Sequence, residues 1–154
     1  MPQSLSLIYV HLVYSTRDRV PFLQNENMRL ETHAYLGGLA SQHDCPGVCV
    51  GGTADHVHLL VNLGRESTIA GLVRDLKRGS SLWIKQRFEG IDGLDDFGWQ
   101  KGYGGFSVSY KNVGDTIRYI ETQETHHQTR TFQDEYRAIL TKLGIKWDER
   151  YVWE

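Results

Sequence analysis

The pattern of apolar and polar residues predicts a strand, a helix and a hairpin in the N-terminal part of the chain. Residues 5 to 14 form a largely apolar run of β-branched and aromatic types, which is typical of a central strand covered on both faces. A helix is predicted from about Asn25 to His43, where the adjacent glycines 37 and 38 indicate close packing or a kink. Two short apolar stretches, 48–50 and 56–61, then predict a hairpin.

The remaining residues carry three helical patterns and one strand pattern. A helix of about 20 residues is predicted from apolar residues at helical spacing, which are Ile69, Leu72, Val73, Leu76 and Trp83. Large apolar or aromatic residues alternate with serines from Phe106 to Tyr110, which is the period of a half-buried strand. A third helix is predicted over about residues 112–128, with Asn112 placed to cap it, and a last helix over 131–143.

The order of these elements predicts the fold class. Strand, helix, strand, strand, helix, strand is the order of a ferredoxin-like unit. We therefore expect an α+β sandwich, an antiparallel sheet of four to five strands with helices on it and extra C-terminal helices. A length of 154 residues corresponds to one domain, so residues 1–154 are predicted to form a single domain that ends in a helix and tail over 131–154.

Composition is that of a globular protein. Hydrophobic residues make up 40% and charged residues 23% of the chain, which excludes a mainly disordered protein. No apolar run approaches the roughly 18 residues of a membrane helix, so no membrane association is expected. The N-terminus lacks the features of a secretory signal and the chain has only two cysteines, which favours the reducing cytoplasm.

Charge is unevenly distributed, and this bears on nucleic-acid binding. The net charge of −2 excludes a polycation that would coat DNA indiscriminately, yet residues 65–88 carry six basic and two acidic side chains. Any contact with a nucleic-acid backbone must therefore be local. The candidate contacts are Arg17, Arg19, Arg74, Lys77, Arg78 and Lys85. A solvated helix face explains the last four nearly as well.

Two histidines stand two residues apart in the second strand of the predicted hairpin. Because strand side chains alternate, His56 and His58 point to one face while Val57 and Leu59 point to the core. Histidines at this spacing lie about 6.6 Å apart along a strand, so their ring nitrogens can converge on one cation. The alternative is a pair of half-exposed histidines on an edge strand.

The third predicted helix carries a polar arc that is separate from its apolar stripe. Tyr119, Gln123 and His126 share this arc. Tyr119 is therefore either a reactive group or a tyrosine at the margin of the core with its hydroxyl in water. We interpret His126 and His127 as a polar helix end. Asp55 either accepts a hydrogen bond that orients a ligand histidine or simply ends a turn.

The two motifs together resemble a known family. His56-Val57-His58, followed about sixty residues later by Tyr119-Ile120-Glu121-Thr122-Gln123, resembles the single-tyrosine HUH transposases of insertion sequence 200/605 type, in which U is an apolar residue. Three further segments are similar to that family: 14–21, 99–109 and 132–136. The resemblance thus covers nearly the whole chain.

The resemblance implies a metal-dependent DNA transposase. It implies that His56, His58 and Gln123 bind a divalent cation, for which Mg²⁺ and Mn²⁺ are the candidates. It also implies that Tyr119 attacks a phosphodiester of single-stranded DNA and forms a covalent 5′-phosphotyrosine. The implied partners are DNA hairpins at the ends of a mobile element and a second copy of the chain, as a homodimer. Two acceptors of the Tyr119 proton are alternatives: a water molecule bound to the cation, or His126.

Other functions are alternatives at this point. A relative that processes repeated palindromes, or a replication initiator, would use the same chemistry. A hairpin-binding module without catalysis is an alternative of another class, and the intact Tyr119 and histidine pair count against it. A nucleotide hydrolase with a histidine triad would need a third histidine where Leu60 stands.

Overall fold

The computed structural model describes residues 2–154. In this range the strands are β1 (Tyr9–Ser15), β2 (Gly47–Gly52), β3 (His56–Asn62) and β4 (Gly104–Val108). The α-helices are α1 (Glu26–Gln42), α2 (Ile69–Arg87), α3 (Val113–Glu121), α4 (Gln123–His126) and α5 (Phe132–Lys142). None of these helices has both the length and the apolar character of a membrane span.

The four strands pair in the order β2-β3-β1-β4, and each pairing is antiparallel. This order, with helices between β1 and β2 and between β3 and β4, is that of the β-α-β-β-α-β ferredoxin-like sandwich. The predicted α+β class is therefore confirmed, with four strands in the sheet. A consequence for the site is that β3, which carries the histidine pair, is an inner strand.

Helices cover both faces of the sheet. On one face, α1 and α2 pack against β-strand residues such as Leu12 and Leu59, and they contribute Leu36 and Leu76 to the larger core. On the other face, Val13 packs against residues of α5, which are Phe132, Tyr136 and Leu140. Leu12 and Val13 enter different cores because successive side chains of a strand point in opposite directions. The sheet therefore separates α1 and α2 from α5.

The first strand begins later than the apolar run predicts. Tyr9, its first residue, lies opposite Asn62 and Val108, which are the last residues of β3 and β4. Both neighbouring strands therefore end where β1 begins, and the Ile8 carbonyl accepts a last hydrogen bond from the Leu63 amide at 2.8 Å. Leu5 and Leu7 are accordingly exposed.

Close packing, and not a kink, accounts for Gly37 in α1. The helix runs unbroken through both adjacent glycines, and its N-cap residue Asn25 accepts a hydrogen bond from the Met28 amide at 3.0 Å. A β-carbon on Gly47 of β2 would lie only 3.3 Å from the Cα of Gly37. Helix and strand can approach this closely because neither residue has a side chain.

The helix predicted over about 112–128 is divided in two at Thr122. Asn112 occupies the N-cap position of α3, but its side chain makes no capping hydrogen bond. At the other end, the Thr122 hydroxyl donates to the Arg118 carbonyl at 2.8 Å. The backbone at Thr122 leaves the helical region, with φ −102° and ψ 20°, so α3 ends before Thr122 and α4 begins after it.

Candidate active site on the histidine face of the sheet

His56 and His58 lie side by side on the face of the sheet that α5 covers. Neither side chain has exposed surface, and the ring centroids are 5.2 Å apart. Val57 and Leu59 enter the core on the opposite face, as the alternation predicted. The alternative of half-exposed histidines on an edge strand is therefore wrong.

The two rings have different partners at Nδ1. His56 Nδ1 lies 2.8 Å from Asp55 Oδ1 and 3.0 Å from Thr53 Oγ1. His58 Nδ1 lies 2.8 Å from Nε2 of His11 in β1. Because a carboxylate only accepts hydrogen bonds, Asp55 fixes the proton of His56 on Nδ1. Asp55 thus orients His56 and does not merely end a turn. His11 was not among the site residues predicted from the sequence.

Tyr119 and Gln123 reach this histidine pair from α3 and α4. The Tyr119 hydroxyl donates a hydrogen bond to Oε2 of Glu135 in α5, and its ring lies 5.6 Å from the His58 ring. Gln123 Oε1 lies 3.0 Å from His56 Nε2, and Gln123 Nε2 donates to Glu135 Oε2 at 3.0 Å. The structure therefore brings together, within one chain, the four residues that the resemblance indicates.

A glycine in β2 allows the tyrosine helix to come this close to the sheet. Gly51 lies opposite His58, and a β-carbon on Gly51 would be 2.4 Å from the carbonyl oxygen of Ile120. Such a contact is impossible for real atoms, so any side chain at position 51 would displace the backbone next to Tyr119. The position of Tyr119 therefore depends on Gly51.

Glu135 lies at the centre of the cluster. It was not predicted as a site residue, although its segment, 132–136, resembles the family. Its Oε1 lies 3.0 Å from His58 Nε2, 3.2 Å from His127 Nε2 and 3.5 Å from His56 Nε2. Glu135 is 2% exposed. The sequence did carry a signal, because Glu135 stands on the buried stripe of α5 and a buried acid requires compensating partners.

His127 joins the cluster at Glu135, whereas His126 lies on the solvent side, with its ring centroid 5.0 Å from that of Tyr119. His127 Nε2 is buried and faces the Glu135 carboxylate at 3.2 Å, and its Nδ1 lies 2.6 Å from the Arg130 carbonyl. His126 is exposed, with its Nε2 3.0 Å from the Thr122 hydroxyl. The interpretation as a polar helix end therefore fits His126 and is wrong for His127.

The chemistry of the cluster fits a divalent cation. His56, His127 and Glu135 each offer one ligand atom, and these atoms lie within 4.8 Å of one another. His56 Nε2 and Gln123 Oε1 face each other at 3.0 Å, although both are acceptors when the His56 proton is on Nδ1. Two facing acceptors repel unless a proton or a cation lies between them. These residues are therefore suited to hold a metal ion.

Burial and charge shift the proton affinities of the site. Burial lowers the pKa of His11 to about 3 and that of His58 to about 4, so both rings are neutral at pH 7. Burial raises the pKa of Tyr119, and the Glu135 carboxylate raises it further. For Glu135 burial raises the pKa, but the His127 and His58 rings outweigh burial and the pKa is lowered overall. Tyr119 is therefore a neutral phenol beside an ionised carboxylate.

Two clefts border the cluster. One has a volume of about 620 Å³ and is lined by His11, Tyr119 and Glu135 among others. The second has a volume of about 670 Å³ and includes His127 in its lining. Arg130 lines both clefts. These volumes are within the range of ligand-binding clefts, so Tyr119 is accessible to a substrate although the two strand histidines are buried.

The four basic residues proposed as DNA contacts on α2 lie away from this cluster, because α2 packs on the opposite face of the sheet. Lys77 donates to the backbone carbonyls of residues 100 and 102 at 2.8 and 2.6 Å, which is a structural role. Arg74 contacts the neighbouring Asp75. Arg78 and Lys85 are exposed and have no side-chain hydrogen bond or ion pair to any residue between 2 and 154.

Arg17 and Arg19 also have structural partners. Arg17 donates to the carbonyl oxygen of Asp96 at 3.2 Å, and Arg19 donates to that of Trp153 at 3.3 Å. The Arg19 guanidinium also lies over the Trp153 ring, 5.9 Å from its centroid. Both arginines therefore tie the end of β1 to later segments of the chain.

Comparisons with known proteins agree with this fold. A family model described as "Transposase IS200 like" matches residues 4–123. The crystal structure of a candidate transposase from Deinococcus radiodurans R1 is similar, with a TM-score of 0.63 and 23% identity over 80% of this chain and 95% of that chain. A REP-associated tyrosine transposase bound to a REP hairpin is similar with a TM-score of 0.54 and 12% identity, over 82% and 74% of the two chains. No curated protein matches the chain.

Proposed function

The chain belongs to the IS200-like transposase family, and from this membership we propose that it cuts and rejoins single-stranded DNA through a covalent bond to Tyr119. The observation that carries the proposal is the hydrogen bond from the Tyr119 hydroxyl to Glu135, beside the paired rings of His56 and His58. A nucleophile, a proton acceptor and a set of cation ligands then lie in one cluster.

Tyr119 is the proposed nucleophile. Its oxygen attacks the phosphorus of a phosphodiester, the tyrosine O–P bond forms and the P–O3′ bond breaks, which leaves a 5′-phosphotyrosine and a free 3′-hydroxyl. In the reverse direction, a 3′-hydroxyl attacks the phosphotyrosine and restores a phosphodiester. Because the covalent bond conserves the energy of the original linkage, strand joining needs no ATP.

Glu135 is the proposed acceptor of the Tyr119 proton. The proton passes from the phenol to Glu135 Oε2 as the O–P bond forms, and the departing 3′-oxygen takes up a proton from water. The proposal is supported by the direct hydrogen bond between the two groups. His126, the acceptor considered from sequence, is bonded to Thr122 at the exposed side of α4.

A divalent cation is the proposed cofactor, with Mg²⁺ and Mn²⁺ as the candidates. The ligands expected from sequence are His56, His58 and Gln123, and we add Glu135 and His127 because their ligand atoms lie in the same cluster. When bound, the cation supplies positive charge against the phosphate oxygens and favours ionisation of the phenol. Imidazole donors favour Mn²⁺ in affinity, and oxygen donors suit both ions.

Single-stranded DNA with hairpin ends is the proposed substrate. Support comes from the family and from the structural neighbour that is bound to a REP hairpin. The cleft beside Tyr119 gives room for the strand, and Arg130 offers positive charge to a phosphate. Arg78 and Lys85 are free to contact the hairpin stem at a separate surface. A homodimer is proposed from the family alone.

A second candidate function is the processing of repeated palindromes by the same chemistry. The observation that favours it is the REP hairpin to which the REP-associated neighbour is bound. The two functions differ in the DNA that is cut, so a comparison of hairpins from the flanks of the encoding locus with dispersed palindromes of the same genome separates them.

The test of the proposed function is a covalent protein–DNA adduct on a denaturing gel. The full chain is incubated with labelled single-stranded DNA from the flanks of its locus, with Mn²⁺ or with EDTA. We expect an adduct with Mn²⁺ only, no adduct for Tyr119→Phe, and retained hairpin binding for this variant. The exposed Tyr151→Phe is the matched control and should form the adduct. An adduct with Tyr119→Phe, or loss of its hairpin binding, would reject Tyr119 as the nucleophile.

A further inference from the structure

We propose that His11 is a positioning residue that sets which nitrogen of His58 carries the proton, and thereby frees His58 Nε2 for a cation. The inference rests on the proposed function, because it takes His58 as a cation ligand. It arises from a difference between the two strand histidines that their common motif does not suggest.

The difference lies in the partner at Nδ1. The Nδ1 atom of His56 lies 2.8 Å from the carboxylate of Asp55, which can only accept a hydrogen bond, so His56 has one favoured tautomer. His58 Nδ1 instead lies 2.8 Å from Nε2 of another imidazole, that of His11. A neutral imidazole nitrogen donates in one tautomer and accepts in the other. The His11–His58 hydrogen bond can therefore run in either direction.

Without a cation, Glu135 determines the direction of this hydrogen bond. Glu135 Oε1 lies 3.0 Å from His58 Nε2, and an ionised carboxylate requires a donor there. His58 therefore carries its proton on Nε2. Its Nδ1 then accepts a hydrogen bond, so His11 must carry its own proton on Nε2.

Binding of a cation at His58 Nε2 requires the opposite arrangement. The Nε2 proton of His58 leaves for solvent, the Nε2 proton of His11 moves to His58 Nδ1, and His11 takes up a proton on Nδ1. The pair holds two protons before and after, and both rings stay neutral. His11 lines the cleft of about 620 Å³, from which water can supply the incoming proton.

Packing holds His11 in the position that this exchange needs. Its ring stacks on His58 at a centroid distance of 5.0 Å and an interplanar angle of 29°. The rings of Phe106 and Tyr119 lie edge-on to it, each 6.3 Å away. Among residues 2–154, His11 is the one hydrogen-bond partner of His58 Nδ1, and the contact is buried.

The first test observes the tautomers directly. Long-range ¹H–¹⁵N spectra of the full-length protein are recorded with EDTA and then with Mg²⁺. We expect His11 and His58 to carry their protons on Nε2 in EDTA and on Nδ1 in Mg²⁺, while His56 stays protonated on Nδ1 in both. An unchanged His58 tautomer in the Mg²⁺-loaded protein would overturn the inference.

The second test measures Mn²⁺ affinity by titration. His11→Phe keeps a ring but loses the partner, and we expect its affinity to fall by about 10- to 100-fold, as for other residues that orient a metal-bound histidine. His11→Gln should recover part of the affinity, because its amide can donate or accept. Tyr14→Phe is the control on the same strand. It removes a buried hydroxyl that has no hydrogen-bond partner among the described residues and belongs to the other core, so the Mn²⁺ affinity of the variant should equal that of the wild type.

The outcomes separate this inference from the proposed function. Wild-type protein that binds no Mn²⁺ would overturn both. Wild-type binding with equal affinity in His11→Phe, whose folding is checked by circular dichroism, would overturn the role of His11 alone. An adduct that still forms with wild type and Mn²⁺ in that case would leave the proposed function standing.

Discussion

Tyr119 donates its hydroxyl hydrogen bond to a carboxylate on a different helix, Glu135 of α5, and this carboxylate also faces the two strand histidines. One side chain thus links the candidate nucleophile to the candidate cation ligands. A carboxylate in this position has two tasks, to take a proton at one oxygen and to balance positive charge at the other.

Glu135→Gln should slow formation of the covalent adduct. The amide keeps the size of the side chain but cannot take up the phenolic proton, so we expect the single-turnover rate to fall by about 10²- to 10⁴-fold. The measurement is a time course of adduct formation at saturating DNA and Mn²⁺. Glu121→Gln, an exposed acid at the end of α3, is the control. A rate within twofold of wild type would remove Glu135 from the reaction.

His127→Gln and His126→Gln should have different effects on metal binding. At a Mn²⁺ concentration about 100 times its dissociation constant, binding stabilises the folded state by about 2.7 kcal/mol. We expect a smaller Mn²⁺-induced rise in melting temperature for His127→Gln, because His127 Nε2 belongs to the cluster. His126→Gln should respond like the wild type. Equal responses of the two variants would contradict the assignment of His127.

Gly51→Ala should displace the tyrosine helix. The added carbon meets the Ile120 carbonyl, so we expect a loss of about 1–3 kcal/mol in the free energy of unfolding and slower adduct formation. Gly38→Ala in α1 is the control, because a β-carbon there meets nothing within 4 Å. It should raise stability by about 0.5–1 kcal/mol. Urea titration and the adduct assay test both variants, and a fully active, stable Gly51→Ala would show that α3 does not depend on this glycine.

His33→Leu should reduce the acid sensitivity of the metal-free protein. Burial, together with the nearby Arg29, lowers the pKa of His33 from 6.5 to about 4. The unfolded chain therefore binds this proton first as the pH falls, and the wild type loses stability between pH 6.5 and pH 4. Between pH 7.5 and pH 5 we expect the free energy of unfolding of the variant to fall by about 2 kcal/mol less than that of the wild type. Urea titrations in EDTA measure this, and parallel pH profiles would contradict it.

Local patterns in the sequence predicted most of the fold. The alternation around His56 and His58 gave the correct faces of β3, because a strand with one apolar face has its register fixed by burial. The start of β1 was wrong because it depends on where β3 and β4 end, which no residue near Leu5 encodes. The break at Thr122 was missed because no proline or glycine marks it in the sequence.

The site was predictable only in part, for a similar reason. The motifs place Tyr119, Gln123 and the histidine pair on elements that the fold brings together. The acid that joins them lies on another helix, and its contact with His58 spans 77 positions of sequence. The only sign of this acid in the sequence is its position among the buried residues of a helix. His126 is the last residue of α4 and His127 is the next residue along the chain. Helical periodicity cannot predict which of two such neighbours turns towards the cluster.

The dependence of the cluster on α5 has a consequence for the making of the protein. A ribosome releases β1, β3 and the tyrosine helix before α5 emerges, so the nascent chain holds a phenol and imidazoles without the carboxylate that joins them. We therefore expect a nascent chain that still lacks α5 to form no covalent adduct with single-stranded DNA.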